Sequence, residues 1–357
     1  MKIADRAAGA IIGALVGDAL GLGPHWYYDL DELRAAYGEW ITDYTDPKPD
    51  RYHGGMKAGQ LDQTGLILVM LLRSVVENKE YRESDFTQRL DRDLFPYLDG
   101  TPAQGPGGYT SQSIRDAYRK RHLQHLPWGE VAGPADTTEA AERAIVLAAR
   151  YARNPARVAQ AVSSDCALTQ SDNTVMALST AFNLYVAMLV RGEPFTADLS
   201  DKLMDLVKSG DLPFHAVTAG KLQGPRPGDP DPPRAGKFAS PDALLTPAFI
   251  AEAVADPNIR IEPAWKVSLV YGMPCAIYHQ LPAAYYLAMR FSDDFESAVL
   301  HAINGGGQNM ARACLTGALV GAQVGLSGIP ERFVKGLENS NELVDLAQRA
   351  GELAVTD

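Results

Sequence analysis

Residues Ala302 to Ile329 read AINGGGQNMARACLTGALVGAQVGLSGI. They open on a polar, glycine-rich loop, Asn304-Gly305-Gly306-Gly307-Gln308-Asn309, and run into a helical segment with small residues at Ala313, Gly317, Ala318, Gly321 and Ala322. A glycine inside a helix costs about 1 kcal/mol. Several in one helix are expected where another backbone must come close. A second stretch has the same character: Ala7 to Gly23, AAGAIIGALVGDALGLG, places Gly9, Gly13 and Gly17 four apart and then Asp18. The two are expected to pack face to face as small-residue helices, each with a polar loop at one end. Because they need each other, the chain is expected to close into one domain over residues 1–357.

Composition narrows the class. With 46% hydrophobic residues in 357, a sizeable core is available. The net charge is −11 and no dense Lys/Arg cluster stands out, which argues against a nucleic-acid backbone as partner. Cys166, Cys275 and Cys314 form no CxxC pair and sit in apolar surroundings, as buried thiols of a reducing compartment do. The start, MKIADRAAGA, lacks the charged-then-apolar signal pattern, and the apolar run up to Gly23 is short and broken by Asp18. The expectation is a soluble cytoplasmic protein with no membrane span.

Helical periodicity recurs along the chain and no alternating run supports a sheet. Asp29 caps a short helix from Leu30 to Tyr37. Residues 38–59 form a long loop with Trp40, Tyr44, Tyr52, His53 and Lys57, expected to be an ordered lid or pocket wall. Thr64 to Asn78 reads as helix, as does a segment capped by Ser84 or Asp85 that runs to Leu94. Residues 100–109 are a Gly/Pro loop. Thr137 to Arg153 reads as one alanine-rich helix, with Glu139 and Glu142 placed to suit its dipole. Helices follow from Pro155 to Leu168 and from Thr174 to Arg191. Residues 222–234 read as an insertion loop. Ser268 to Ala276 reads as extended, and a last helix starts after Ser340. The fold class is therefore all-α, a single bundle of many helices.

Four polar knots stand at breaks between apolar helices: Asp18 with His25, Gln60 to Thr64, Thr169 to Asn173, and Asn304 to Asn309. Each aspartate taken alone reads as an N-cap. Together, helix N-termini aimed at one point make a site for a polar ligand.

In order and composition these knots resemble the ADP-ribosylglycohydrolase family. Gly13 to Gly21, GALVGDALG, is similar to the family's G-x-x-x-G-D-A-x-G. Ala167 to Asn173, ALTQSDN, resembles A-x-T-H-x-D-P. Leu281 to Tyr286, LPAAYY, and Ser292 to Asn304, SDDFESAVLHAIN, resemble the segments before the last motif. Ala302 to Ala322 is similar to A-V-N-x-G-G-D-T-D-T and its small-residue helix. The resemblance implies an all-α bundle and removal of ADP-ribose from an acceptor. It also implies two divalent ions, usually magnesium, although the fold has also been recruited as jellyfish lens crystallin. At the ligand positions this chain departs. T-D-D-T is Leu61-Asp62-Gln63-Thr64, D-T-D-T is Gln308-Asn309-Met310-Ala311, the carboxylate after the first helix falls near His25, and the histidine of T-H-x-D is Gln170. Magnesium takes hard oxygen ligands, mainly carboxylates, and methionine sulfur is a poor one. The expectation is no metal centre.

The replacements keep hydrogen-bonding capacity, and rings beside amides suit a sugar or nucleoside. The first expectation is a metal-independent glycoside hydrolase acting on an N- or O-ribosyl (ADP-ribosyl) bond, its substrate a small molecule or protein-linked. Asp62 would be its catalytic carboxylate and His25 or His53 its proton donor. Asp18, Trp26, Tyr27, Gln63, Thr64, Gln170, Asp172, Asn304, Gly306, Gly307, Gln308 and Asn309 would bind substrate. The alternative is a non-catalytic, crystallin-like member. A third reading keeps one late transition metal on Asp62 and His25.

Overall fold

The computed structural model describes residues 1–216, 226–230, 235–239 and 242–356. Every regular element among them is helical. The order is α1 (Ile3–Leu22), α2 (Leu30–Tyr37), α3 (Gln63–Asn78), α4 (Glu83–Arg89), α5 (Gln112–Tyr118), α6 (Glu139–Arg143), α7 (Ile145–Arg150), α8 (Pro155–Cys166) and α9 (Asn173–Val190). Then come α10 (Asp198–Lys208), α11 (Asp242–Ala255), α12 (Val267–Tyr271), α13 (Ile277–Arg290), α14 (Phe295–Ile303), α15 (Asn309–Val324), α16 (Glu331–Gly336) and α17 (Ser340–Leu353).

The two glycine-spaced segments are α1 and α15, and they lie antiparallel at the centre. A Cβ built on Gly13 would sit 2.1 Å from the Gly317 carbonyl oxygen, and one on Gly317 2.1 Å from that of Gly13. Gly9 pairs with Gly321 in the same way, and a Cβ on Gly17 would meet the Ala313 oxygen at 2.1 Å. The backbones therefore touch every fourth residue, and both helices are buried almost throughout. Arg6 on α1 donates to the Ala322 and Gln323 carbonyls at 2.9 and 2.8 Å, satisfying the exposed end of α15. Helix α9 is long and apolar enough to cross a membrane, but 83% of its apolar window lies inside the fold, so it serves as a core helix.

Asp29, Asp62, Asp172 and Asp294 each cap a helix through a side-chain oxygen. Other expectations change. The helix expected over 137–153 is broken at Ala144, where Asn183 on α9 donates to the Ala141 carbonyl at 3.0 Å. Residues 267–271 form helix rather than the extended segment expected from Ser268, and Gly272 at φ +120° ends it. Neither Ser84 nor Asp85 caps α4, which starts after Arg82. Ser340 does not cap the last helix: Asn339, in left-handed conformation at φ +57°, precedes it, and the Ser340 hydroxyl donates to the Val334 carbonyl. Proline at 247 and at 282 is tolerated inside a helix.

The loop over 38–59 is tied down at several points. Asn304 accepts the Ile41 N–H and donates to its carbonyl, both at 2.9 Å, and Tyr44 donates to the Phe333 carbonyl at 2.7 Å. The loop expected at 222–234 lies mostly outside the described residues. Of it, 226–230 form an exposed turn in which Arg226 N–H meets the Asp229 carboxylate.

Candidate functional site

The site is built on the first turn of α3. Asp62 accepts the Gly65 N–H at 2.9 Å as an N-cap, while its own N–H donates to Asp18 Oδ2 on α1 at 3.0 Å. Glycine at 65 leaves room for that carboxylate, since a Cβ there would lie 2.6 Å from Asp18 Oδ2 and push it aside. Burial, then the neighbouring Asp62 charge, raises the Asp18 carboxyl well above the usual range. Glu142 on α6 joins them and is 3% exposed. Burial pushes its pKa up to about 8, with the charges of Asp62 and Glu139 acting in the same direction. Cys314 on α15 faces the same acids; burial and the Glu142 and Asp18 charges raise its thiol well above the ordinary value. Glu142 escaped the sequence reading, which took it for a helix-dipole residue. The turn of α6 toward α3 and α15 is what buries it.

Above the carboxyls lie two histidines. The rings of His25 and His53 are 5.0 Å apart, and both residues are buried, at 4% and 2% exposed. Desolvation lowers the pKa of each; for His25 the neighbouring His53 adds to this, and for His53 the Asp62 charge opposes it. Gln308 Oε1 holds His25 Nε2 at 2.9 Å and also accepts the Trp26 indole N–H. The loop before α15 locks this corner. Trp26 N–H donates to the Gly307 carbonyl at 3.1 Å, and Gly307 N–H donates to the Tyr27 carbonyl at 2.7 Å. Gly306 and Gly307 take φ +64° and +62°, and a Cβ on Gly306 would lie 2.5 Å from the Tyr27 oxygen. Trp26 itself stands at φ +62°, a strained conformation for an aromatic residue.

The Gly/Pro loop over 100–109 lies directly on α3. A Cβ on Gly107, at φ +82°, would be 2.1 Å from the Gln63 nitrogen. Gln63 Nε2 donates to the Pro106 carbonyl at 3.2 Å and to Thr110 Oγ1 at 2.9 Å. Trp26, Tyr52 and Tyr109 meet edge to face, with centroids 4.5 to 5.4 Å apart, so three loops share one aromatic roof. Tyr109 and Gly107 were not singled out from the sequence. Their role follows from loop-on-helix packing that local pattern does not encode.

The structure thus gathers Asp18, His25, Trp26, His53, Asp62, Gln63, Gln308 and Asn309. Other sequence candidates are engaged elsewhere. Gln170 is buried, accepts the Ala140 N–H and donates to the Ala135 and Thr137 carbonyls, so its amide braces the segment leading into α6. Asp172 is exposed and caps α9. Asn304 clamps Ile41, as described above. Tyr27 is buried beneath the Arg51 guanidinium, 3.9 Å from its ring centroid. Thr64 is the exception, half-buried in the first turn of α3 on which the site is built. Lys57 is paired with Asp46 at 2.9 Å.

These residues do not fit the two-magnesium centre implied by the resemblance. The Gln308 oxygen is already taken by two donors. Met310 is a buried thioether whose backbone packs on Gly21, and Ala311 offers no ligand. Among the described residues, no group of three or more His, Cys, Asp or Glu is arranged to hold an ion. The same geometry gives no support to a single metal on Asp62 and His25.

Glu142 has a measurable consequence. A carboxyl whose folded pKa is raised from 4.5 to about 8 keeps its proton only in the folded state across that window. Stability is then greatest below the unfolded value and is lost as pH rises through the folded one, by about 1 kcal/mol per pH unit. Glu142→Gln removes the titration. The melting temperature of this variant, relative to the parent, is expected to climb from pH 5 to about pH 8 and then level off. Parallel curves for the two proteins would show that Glu142 is not held protonated.

Comparison with known proteins adds the following. A family model described as ADP-ribosylglycohydrolase matches residues 1–357. Crystallin J1A of Tripedalia cystophora is 24% identical, over 98% of this chain and 97% of its own. An uncharacterized protein of Archaeoglobus fulgidus is 23% identical, over 98% and 97% respectively. A solved structure described as an ADP-ribosylglycohydrolase-related protein complex superposes with a TM-score of 0.62 at 16% identity, covering 99% of both chains.

Proposed function

The chain belongs to the ADP-ribosylglycohydrolase family, and from that premise we propose that it is a hydrolase cleaving an N- or O-ribosyl (ADP-ribosyl) bond without a two-magnesium centre. The observation that carries this reading is the buried set Asp18, Asp62 and Glu142 beneath two imidazoles with unpartnered ring nitrogens, His25 Nδ1 and His53 Nε2. Paired carboxyl groups in different protonation states are what glycoside hydrolysis needs. Asp62 stands at the N-terminus of α3, where it accepts the Gly65 N–H, and is assigned the role of base. It takes a proton from the attacking water as the water oxygen bonds to the anomeric carbon. The bond to the leaving group breaks, and the leaving atom receives a proton from a neutral carboxyl, for which Glu142 and Asp18 are suited. This moves the donor role away from the histidines. Their lowered pKa leaves them neutral, fit to orient water or a ribose hydroxyl. The reading takes residues 1–357 as one domain in the cytoplasm with a ribosyl-bearing partner, in keeping with the net charge of −11 and three free thiols.

The test is turnover by chelator-treated protein on a panel of N- and O-ribosyl and ADP-ribosyl compounds, with released product read by chromatography and mass. Activity is expected to be the same with chelator and with excess magnesium. Activity only with magnesium would refute the metal-independent mechanism. A second reading, a non-catalytic member, draws support from the tight seating of Gly107 on α3 and from a crystallin among the relatives. It requires that no compound of the panel be turned over.

A further inference from the structure

We infer that residues 52–56 are a lid over the carboxyl site, which opens as a unit while the 100–109 loop stays in place; this rests on the reading of that site as the place of reaction. Asp18, His25, Asp62, Gln63 and Glu142 are all buried, none more than 6% exposed. A ligand that touches them needs a cover to move. Two segments cover them, the 100–109 loop and the tip of the 38–59 loop.

The first is fixed. Its Gly107 is seated on the backbone of Gln63, and the Gln63 amide holds the Pro106 carbonyl, as described above. The Thr110 N–H donates to the Pro102 carbonyl and the Thr110 hydroxyl to the Gln104 carbonyl, both at 2.9 Å. Arg119 donates to the Gly100 carbonyl at 2.6 Å.

The second is fixed only at its stem. Residues 46–58 form an Ω-shaped loop. The Asp46 carboxylate closes it, accepting the Ala58 N–H at 2.8 Å and the Lys57 ammonium at 2.9 Å. The Asp46 carbonyl accepts the Tyr37 hydroxyl at 3.1 Å, and the Gly59 carbonyl accepts the Glu338 N–H at 2.8 Å. Arg51 pairs with Glu32 and lies over Tyr27, which pins the chain just before the tip.

From Tyr52 to Met56 the restraints change in kind. Among the described residues, the hydrogen bonds of this segment are two local turn bonds. Gly54 N–H donates to the Arg51 carbonyl at 2.8 Å and Met56 N–H to the His53 carbonyl at 3.0 Å. Of the five residues only His53 is buried. Gly55 stands at φ +95° with nothing within 4 Å of where a Cβ would lie, and Met56 borders a cavity of about 470 Å³. Packing of rings holds the tip down. His53 lies 5.0 Å from His25, and Tyr52 meets Trp26 and Tyr109 at 5.4 and 5.2 Å, while His53 and Met56 rest against Gly108. A segment with so few buried contacts and long-range hydrogen bonds opens before the structure around it. Opening carries His53 away from His25 and uncovers the carboxyls. Closing brings the two imidazoles back together and shuts water out.

The experiment combines amide hydrogen exchange with mapping of histidine acylation by diethyl pyrocarbonate, both read by mass spectrometry on the full chain. The hydrogen-bonded amides of Gly54 and Met56 are expected to exchange about ten-fold or more faster than those of Ala58 and Thr110. His25 is expected to react more slowly than the exposed His125. Tyr52→Ala, which removes both of its ring contacts, is expected to speed the reaction of His25 about ten-fold or more with the melting temperature little changed. His25 reacting as fast as His125 in the parent would mean that nothing covers the site. Gly54 and Met56 amides as protected as that of Thr110, or unchanged His25 reactivity in a folded Tyr52→Ala, would equally overturn the lid. None of these measurements uses a substrate, so the lid and the ribosyl reading fail separately.

Discussion

Gly317→Val is expected to leave almost no folded protein. The added Cβ alone would stand 2.1 Å from the Gly13 carbonyl oxygen and 2.8 Å from its carbon. Both obstacles are backbone, so no rotamer change relieves them, and valine adds two methyl groups. Overpacking an ordinary core costs about 1–3 kcal/mol, because side chains can shift. Here α1 and α15 would have to separate along their length and strip packing from the centre of the molecule. A loss above about 4 kcal/mol is expected, a large part of the 5–15 kcal/mol that holds a typical domain together. Soluble yield and thermal melting by circular dichroism measure it, with Gly317→Ala expected to be milder but still damaging. A valine variant melting within a few degrees of the parent would mean that the two helices are not in backbone contact.

Asp62→Asn is expected to lower kcat by about a thousand-fold or more, the scale at which removal of a catalytic carboxylate or a charge-stabilising group acts. The substitution is selective because Asn is as good an N-cap as Asp, so the Gly65 N–H keeps its acceptor. The fold and ligand affinity should therefore survive while turnover does not. Parental kcat in a folded Asp62→Asn would remove this carboxylate from the mechanism. Equal loss of binding and turnover would make it a binding residue instead.

The seam between α1 and α15 was legible because a helix tolerates glycine every fourth residue only for a reason, and Gly13 and Gly317 state that reason on both sides. Aspartate caps were legible where side chain and helix start are adjacent in sequence, as at Asp29 and Asp294. The cap at Asn339 was not, because a left-handed turn there leaves its side chain out of the helix. The carboxyl cluster was half legible. Asp18 and Asp62 stand in recognisable motifs, but Glu142 becomes part of the site only through the placement of α6. Gln170 illustrates the reverse: its motif position pointed to ligand binding, yet the backbone around it claims every polar atom of its amide.

Partners in the glycine seam are roughly 300 residues apart, and at about 5–20 residues per second the ribosome takes some 15–60 s to make what lies between them. During that time α1 is outside the exit tunnel with its glycine face unmated and its apolar flanks wet. Nothing made earlier can substitute, since the groove it needs is the backbone of α15 itself. Such a nascent chain is a natural client for chaperones. Its folding is expected to be late and nearly all-or-none, and truncation before α15 should yield aggregate rather than a smaller stable piece.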